Sequence, residues 1–428
     1  MKNIVIIGNG ISGITAARHI RKLDNKAHIC VISGESDYFF SRTALMYIYM
    51  GHLKFEHTKP YEDNFWKKNR IELLKAWVEK IDFQTKTLHL HSEKSLKYDV
   101  LIIATGSKPN KFGWKGQDLA GVQGLYSIQD LENLERMTPK IEKAVIIGGG
   151  LIGVELAEML LSRHKKVTFL VREKSFWNSI LPKEDSELIT KHIQKHHVDL
   201  RLSTELDEII GKNGHVSAIR TKAGEVIDCQ FVGLAVGVSP NIDFLKNDTS
   251  LKYNKGILVD EYLQTNLPNV YAIGDCAEHQ KPPNDRKNIE QIWYTARIMG
   301  ETVAQTICGN PSPYQPSFFF NSAKFFDIEY QTYGQVKAQL SEEIAFFYWE
   351  NQTQNKAIRI HYRLDNEQVI GINTFGIRMK HEVWEKWLKD GKTMKYVMEN
   401  LVKANFDAEF SKRYENEILE KYNLSVLS

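Results

Sequence analysis

The chain has 428 residues, of which 42% are hydrophobic and 25% charged, enough to bury the cores of two or three domains. A formal net charge of +3 over that length gives no argument for nucleic acid, and no run of about eighteen apolar residues marks a membrane-spanning helix. The opening MKNIVIIGNG reads as a strand and a turn, without the apolar stretch and cleavage site of a signal peptide.

In chain order, NIVIIGNGISGITAARHI begins at Asn3 and predicts a strand, a glycine turn and a helix. Gly8 makes the tight turn, Gly10 lets backbone approach a pyrophosphate, and Gly13 lets helix and strand pack closely. The helix N-terminus faces the anion. The next strand, AHICVIS, ends near Ser33 and Glu35, and Glu35 is the carboxylate placed to accept from ribose hydroxyls, with an exposed turn glutamate as the alternative. YDVLIIATGSKPN, from Tyr98, is a strand that ends in Ala104, Thr105 and Gly106.

KAVIIGGGLIGVELAEML, from Lys143, repeats the first pattern with Gly148, Gly150 and Gly153. One such fingerprint is a weak signal. Two in one chain, each between a strand and a helix, predict two dinucleotide sites. The following strand, KKVTFLV, puts Val171 where an NADH site carries its acid, and Arg172 and Glu173 come next. Arg172 suits a 2′-phosphate and Glu173 weighs against it, so NADPH and NADH both stay open. VGLAVGVSPNIDFL, from Val232, echoes the IIATGSKPN stretch. LPNVYAIGDCAE then gives a short buried strand ending in Gly274 and Asp275. Asp275 is placed to accept from a flavin polyol hydroxyl, or serves as an ordinary helix N-cap.

From about Ser312 the composition turns aromatic. EIAFFYWE, KAIRIHYRL and EQVIGINTFG predict an antiparallel sheet. The aromatic stretch PSFFFNSAKFF has three open roles: lining a flavin, holding a homodimer, or filling a core. VWEKWL and TMKYVMENLVKANF predict a helical pair over the sheet, with Val383, Trp384, Trp387 and Leu388 on one inner face and Met394, Val397, Met398, Leu401 and Val402 on the other. Glu409, Glu415, Glu417 and Glu420 make the tail a poor fit to an anionic membrane surface. The cysteines are Cys30, Cys229, Cys276 and Cys308; none forms a C-x-x-C pair or shares a metal-ligand spacing with a histidine. No disulfide framework and no metal are expected, and a reducing, cytoplasmic setting fits.

Taken together, IGNGISG, ATGSKP, GGGLIGVELAE and VYAIGDCAE resemble the FAD-dependent pyridine-nucleotide reductases with two dinucleotide domains, over roughly Met1 to Gly309. Within that superfamily the chain resembles the rubredoxin, ferredoxin and nitrite-type reductases, and CoA-disulfide reductase and NADH oxidase relatives. The resemblance implies an α/β fold of the glutathione-reductase-like kind, with Rossmann-like FAD and NAD(P) domains and an α+β C-terminal interface domain. FAD would take residues 1–113 and 246–320, NAD(P) residues 114–245, and the interface domain with its helical tail residues 321–428. The implied FAD contacts are Gly8, Gly10, Ser12, Gly13, Glu35, Arg42, Thr105, Gly106, Gly274 and Asp275. The implied nicotinamide-dinucleotide contacts are Gly148, Gly150, Gly153, Glu155, Arg172 and Gly237.

Glu155 and Arg42 are the residues that the resemblance puts nearest the chemistry. Glu155 would orient the nicotinamide against the flavin, or else simply favour its helix N-terminus. The stretch SDYFFSRTALMYIYMG departs from the family twice. Thr43 falls where the CoA-disulfide reductase relatives carry a cysteine, and Leu45, Met46 and Tyr47 stand where ferredoxin-reductase-like relatives place a lysine. Threonine forms neither a sulfenate nor a mixed disulfide. The implied activity is therefore hydride transfer from NAD(P)H to FAD without a protein thiol, with a ferredoxin- or rubredoxin-like carrier as acceptor. A type II NADH:quinone reductase is one alternative, although the interval from Gly8 to Gly148 is short for that group. A flavin-bearing, redox-responsive interaction protein with little turnover is another.

Overall fold

The computed structural model describes residues 2–246, 248–283, 286–406 and 409–427. These form two compact units, one of residues 1–110, 124–139 and 237–316, the other of residues 111–123, 140–236 and 317–428. The mixed α/β architecture with Rossmann-like parallel sheets and a C-terminal antiparallel domain is the fold expected from the sequence.

In the first unit, β1 (Asn3–Ile7), α1 (Ile11–Leu23), β2 (His28–Ser33), β3 (Ile71–Lys75) and β4 (Val100–Ile103) lead through α2 (Ile128–Met137). The second unit continues with β5 (Lys143–Ile147), α3 (Leu151–Ser162), β6 (Lys166–Leu170), α4 (Lys183–Lys195), β7 (Asp199–Arg201) and β8 (Phe231–Leu234). The chain returns to the first unit with β9 (Val270–Ala272) and α5 (Trp293–Ile307). The first parallel sheet has the order β9-β4-β1-β2-β3, and the second β7-β6-β5-β8 with Val122–Gln123 at its edge. Both sheets read as near-continuous Ile, Val and Leu because they are covered on two faces. The small residues of α1 have a packing reason: a Cβ at Gly300 of α5 would stand 2.6 Å from the Ser12 carbonyl oxygen.

The second unit ends in β10 (Phe320–Phe325), β11 (Ile328–Gly334), β12 (Ile344–Glu350), β13 (Ala357–Arg363) and β14 (Val369–Phe375). They form one antiparallel sheet in the order β10-β11-β14-β13-β12. α6 (His381–Lys389), α7 (Met394–Asn400) and α8 (Glu415–Leu427) follow. Trp384, Trp387, Leu388, Met394, Val397, Met398 and Leu401 bury their side chains against Tyr333, Ile358 and Ile372 of the sheet. Val402, expected on that inner face, is 49% exposed. The α-helix tightens at Leu401 into a 3-10 turn, which changes the angular step and turns Val402 outward. Ile418 of α8 joins the same core, so a third helix is added to the expected pair. In the aromatic stretch, Phe325 and Phe326 are core residues and Phe318 is exposed.

One polar cluster lies inside this unit. Arg359 of β13 is 2% exposed, and its Nε donates to Asp185 Oδ1 at 2.8 Å in the first turn of α4. Asn373 Nδ2 of β14 donates to the other Asp185 oxygen at 2.9 Å. The guanidinium also lies over Phe346 and Tyr348. Arg359→Leu leaves the Asp185 carboxylate buried without its cation, an expected loss of about 3–5 kcal/mol. Urea unfolding reads this as a lowered midpoint, partly regained when Asp185→Leu is added; a single variant as stable as the parent would show that the cluster does not hold the unit.

Candidate functional site

The first glycine turn follows from strand register. β1 and β2 run level, with Ile7 beside Ile32, and the Gly8 amide donates to the Ile32 carbonyl at 2.8 Å. The chain leaves the sheet with Gly8 at φ +114°, where a Cβ would stand 2.1 Å from the Ala104 carbonyl oxygen. A Cβ at Gly13 would stand 2.1 Å from the Gly8 oxygen, whereas nothing lies within 4 Å of that position at Gly10, the N-cap of α1. Two glycines are closed in by backbone and the one between them faces open space. With the amides that a helix start presents, this makes a cradle that fits an anionic group such as a pyrophosphate.

The second turn repeats the first. Ile147 runs beside Leu170, the Gly148 amide donates to the Leu170 carbonyl at 3.0 Å, and Gly148 has φ +106°. A Cβ there would meet the Ala235 oxygen at 2.5 Å, and one at Gly153 would meet Phe169 Cζ at 2.6 Å. Gly150 has only the Ala235 oxygen near it, at 3.7 Å. Ala104 and Ala235 hold corresponding places in the two echoing stretches, so the sequence repeat is also a repeat of carbonyl positions.

Around the first cradle the expected residues gather. Buried Ser12 lies under Gly274, where a Cβ would be 2.6 Å from its Oγ. Asp275 accepts from Ser107 Oγ at 3.0 Å, and Gln291 Nε2 donates to that hydroxyl at 3.0 Å. Burial pushes the Asp275 carboxyl upward, against the Ser107 hydrogen bond and the Arg42 charge. Thr105 Oγ1 donates to the Asn241 carbonyl at 2.8 Å, and the Asn241 amide donates back to Gly106 at 2.9 Å. Residues 107–109 and 238–240 pair as an antiparallel ribbon, so the two echoing stretches join each other. Gly237, expected at the nicotinamide nucleotide, closes this ribbon by accepting from the Asn110 amide at 3.0 Å.

Glu35 and Arg42, expected in separate roles, form a two-pronged pair with Nη–Oε distances of 2.8 and 2.6 Å. Glu35 Oε1 also accepts from the Ile128 amide at 3.0 Å, at the start of α2. Arg42 donates to the Tyr126 carbonyl, and its guanidinium lies 4.4 Å from the Tyr126 ring centroid. The Tyr126 hydroxyl accepts from the Ser107 amide at 2.8 Å, and burial lifts it to about 12. Tyr126, Ser107 and Gln291 were missed from sequence because each stands far along the chain from its partner. Asn9 carried a readable signal, a polar residue between two fingerprint glycines; it is buried and donates to the Ser36 carbonyl at 3.0 Å.

No cysteine joins this arrangement as a reactive thiol. Thr43 is exposed in a 3-10 turn, 3.1 Å from Ser41 Oγ. All four cysteines are free, and burial pushes Cys30 and Cys229 up to about 12. Cys276 follows Asp275 but is fully buried, with its Sγ donating to the Ile273 and Ile103 carbonyls, and its thiol is raised as well.

In the second unit, exposed Arg172 is held by its neighbour, Nε to Glu173 Oε1 at 2.8 Å. Glu155 sits half-buried in the first turns of α3, and among the described residues no cation pairs with it. Glu158, which acts on Glu155, is itself paired with Lys324 at 2.7 Å. Burial first, and the Glu158 charge second, lift the Glu155 carboxyl to about 7.

The model of the pyridine nucleotide-disulphide oxidoreductase family matches residues 2–300. The chain belongs to that family. It is 30% identical to a ferredoxin–NAD(P)(+) reductase of Sphingomonas sp over 340 residues, 78% of this chain and 81% of that one. It is 27% identical to a nitrite reductase [NAD(P)H] of Bacillus subtilis over 379 residues, 88% of this chain; the match spans 46% of that protein, so the chain corresponds to about half its length. Among solved structures, a ferredoxin reductase from Rhodopseudomonas palustris superposes with a TM-score of 0.79 at 22% identity, over 88% of this chain and 91% of that one. The chain is thus an oxidoreductase of the rubredoxin- and ferredoxin-reductase-like branch, without the redox-active cysteine pair. Among the described residues, no helix is long and apolar enough to cross a membrane.

The Glu155 carboxyl gives this site a testable pH signature. Its folded value, about 7, lies above the ordinary value of about 4.3. The folded state therefore binds more protons than the unfolded state between those values, and stability falls as pH rises through that window. Glu155→Gln removes the penalty. The variant should match the parent near pH 4 and exceed it by roughly 1–3 kcal/mol at pH 8 in urea unfolding. A constant difference across pH would mean that Glu155 titrates at its ordinary value.

Proposed function

We propose that the chain oxidises NAD(P)H through FAD, without a protein thiol, and passes electrons to a small redox carrier protein. The observation that carries this reading is the pair of matching glycine cradles in a chain whose four free thiols are all shifted toward the protonated form by burial. A bound flavin supplies the ability to take up a hydride and to release electrons singly. The protein's part is to hold and orient. Gly8, Gly10 and Gly13 with the start of α1 would cradle the FAD pyrophosphate. Asp275, oriented by Ser107 and Gln291, would accept from its polyol, and Glu35 would accept at the ribose with Arg42 holding its carboxylate in place.

Gly148, Gly150 and Gly153 would take the nicotinamide dinucleotide, with Glu155 as a positioning residue for its reactive end; Gly237 is a further candidate contact. Thr105 and Gly106 lead into the ribbon that would border the flavin. FAD would be held mainly by residues 1–113 and 246–320, and NAD(P)H mainly by residues within 114–245, of which 124–139 and 237–245 pack in the first unit. The carrier as acceptor is supported by the names of the relatives, which include ferredoxin and rubredoxin reductases.

Anaerobic turnover with NAD(P)H should be faster with a ferredoxin or rubredoxin than with quinone or oxygen. The carrier rate should fall as salt rises, because weak docking of charged proteins is screened. Dominant, salt-independent quinone reduction would reject the carrier and favour the quinone reading. Arg172 sets a second test. Among the described residues Glu173 engages its Nε only, so Arg172→Ala should raise KM for NADPH about tenfold or more and leave NADH within about twofold. Equal small effects would hand the ribose contact to Glu173.

A further inference from the structure

We propose that His192, His196 and Asp327 form a binding site for a zinc-class divalent metal ion that ties the end of α4 to the β10–β11 hairpin. None of the residues assigned above to a dinucleotide takes part. His192 lies in the last turn of α4 and His196 caps it, so the two rings share one helix face at the i, i+4 spacing. Asp327 comes from the two-residue turn closed by the Phe325–Ile328 pair.

Three separate features of the turn aim Asp327 at the histidines. Phe326 holds φ +56°, a left-handed conformation that is costly for a bulky residue and persists only where surrounding structure enforces it. Its ring is buried and stacks on His196, with centroids 4.4 Å apart and planes at 4°. The Asp327 carboxylate then meets both rings through a single oxygen, 2.7 Å from His192 Nε2 and 2.9 Å from His196 Nε2. The two nitrogens are 3.2 Å from each other.

Three donor atoms so close together converge on one point. Ligands about 2.0–2.1 Å from a tetrahedral ion stand roughly 3.3–3.4 Å apart, so an outward relaxation of a few tenths of an ångström admits the ion. Two imidazoles and one carboxylate suit zinc and the late first-row divalent ions, and are a poor set for calcium or magnesium, which prefer oxygen throughout. Side-chain exposure rises from 7% at His192 through 33% at His196 to 72% at Asp327. The fourth position would therefore open to solvent.

The test uses full-length protein with its cofactor bound, stripped of metal with a chelator and titrated with Co(II) and then Zn(II). The expected result is one Co(II) per chain, visible bands of low-coordinate cobalt beyond the flavin absorption, and their loss when Zn(II) displaces it. His196→Gln and Asp327→Asn, both at solvent-reaching positions, should each weaken binding by at least about 100-fold while circular dichroism stays unchanged. Zn(II) should raise the thermal midpoint of the parent and of neither variant. Less than one equivalent in the parent, or equal affinity in parent and variants, overturns the proposal; the three side chains are then a hydrogen-bonded clamp without metal.

Discussion

A carbonyl oxygen against a glycine governs this structure. The Ala104 oxygen stands 2.1 Å from where Gly8 would carry a side chain, and the Ala235 oxygen stands 2.5 Å from the same point at Gly148. Both glycines have positive φ, so any other residue would meet backbone strain and a backbone collision together. Once the turn is so closed, the helix must begin directly above the strand ends. The amides at the start of a helix, which have no carbonyl one turn back to pair with, then lie next to the open face of Gly10 or Gly150. Sheet, turn and helix start are thus one unit of geometry, made twice.

Burial then decides which groups near the first cradle keep a charge. Arg42 remains ionised because it meets Glu35 through two hydrogen bonds and lies on the Tyr126 ring. Thiols have no such partner. Cys30, Cys229 and Cys276 are buried and Cys308 is half-buried, and burial drives each toward the protonated form, the weaker nucleophile. Thr43 removes the thiol expected in one branch of relatives, and burial raises those that remain. Electron flow is left to whatever the two cradles hold.

Much of the fold was legible in the sequence because the turn is local. Strand, three spaced glycines and helix lie within about eighteen residues, and the return strand at Val270 carries its own Gly274-Asp275 mark. The antiparallel C-terminal sheet was legible from β-prone runs between polar turns. Pairings across the chain were not. Arg42 and Tyr126 are 84 positions apart, and Arg359 and Asp185 are 174 apart. An isolated arginine in KAIRIHYRL reads as a surface residue on an alternating strand. The His192 and His196 pair could have been noticed from its spacing, but Asp327, 131 positions beyond His196, could not. The outward turn of Val402 escaped because periodicity assumes that an α-helix keeps its pitch to the end.

α4 shows what these distant pairings accomplish together. Its first turn carries Glu184 and Asp185, where the helix dipole favours acids, and Arg359 and Asn373 of the C-terminal sheet grip it there. Its last turn and cap carry His192 and His196, and the β10–β11 turn grips it through Asp327 and Phe326. The helix is therefore held to one sheet at both ends by polar groups, with Phe176 and Trp177 packed on Phe325 nearby. Apolar packing alone tolerates small slides along a helix axis, because one turn of side chains resembles the next. Buried charges and shared hydrogens do not, since a shift of one residue would strand Asp185 without a cation. The polar ends therefore fix register while the aromatic contacts supply cohesion, and the helix beside the second nucleotide sheet has a single seat.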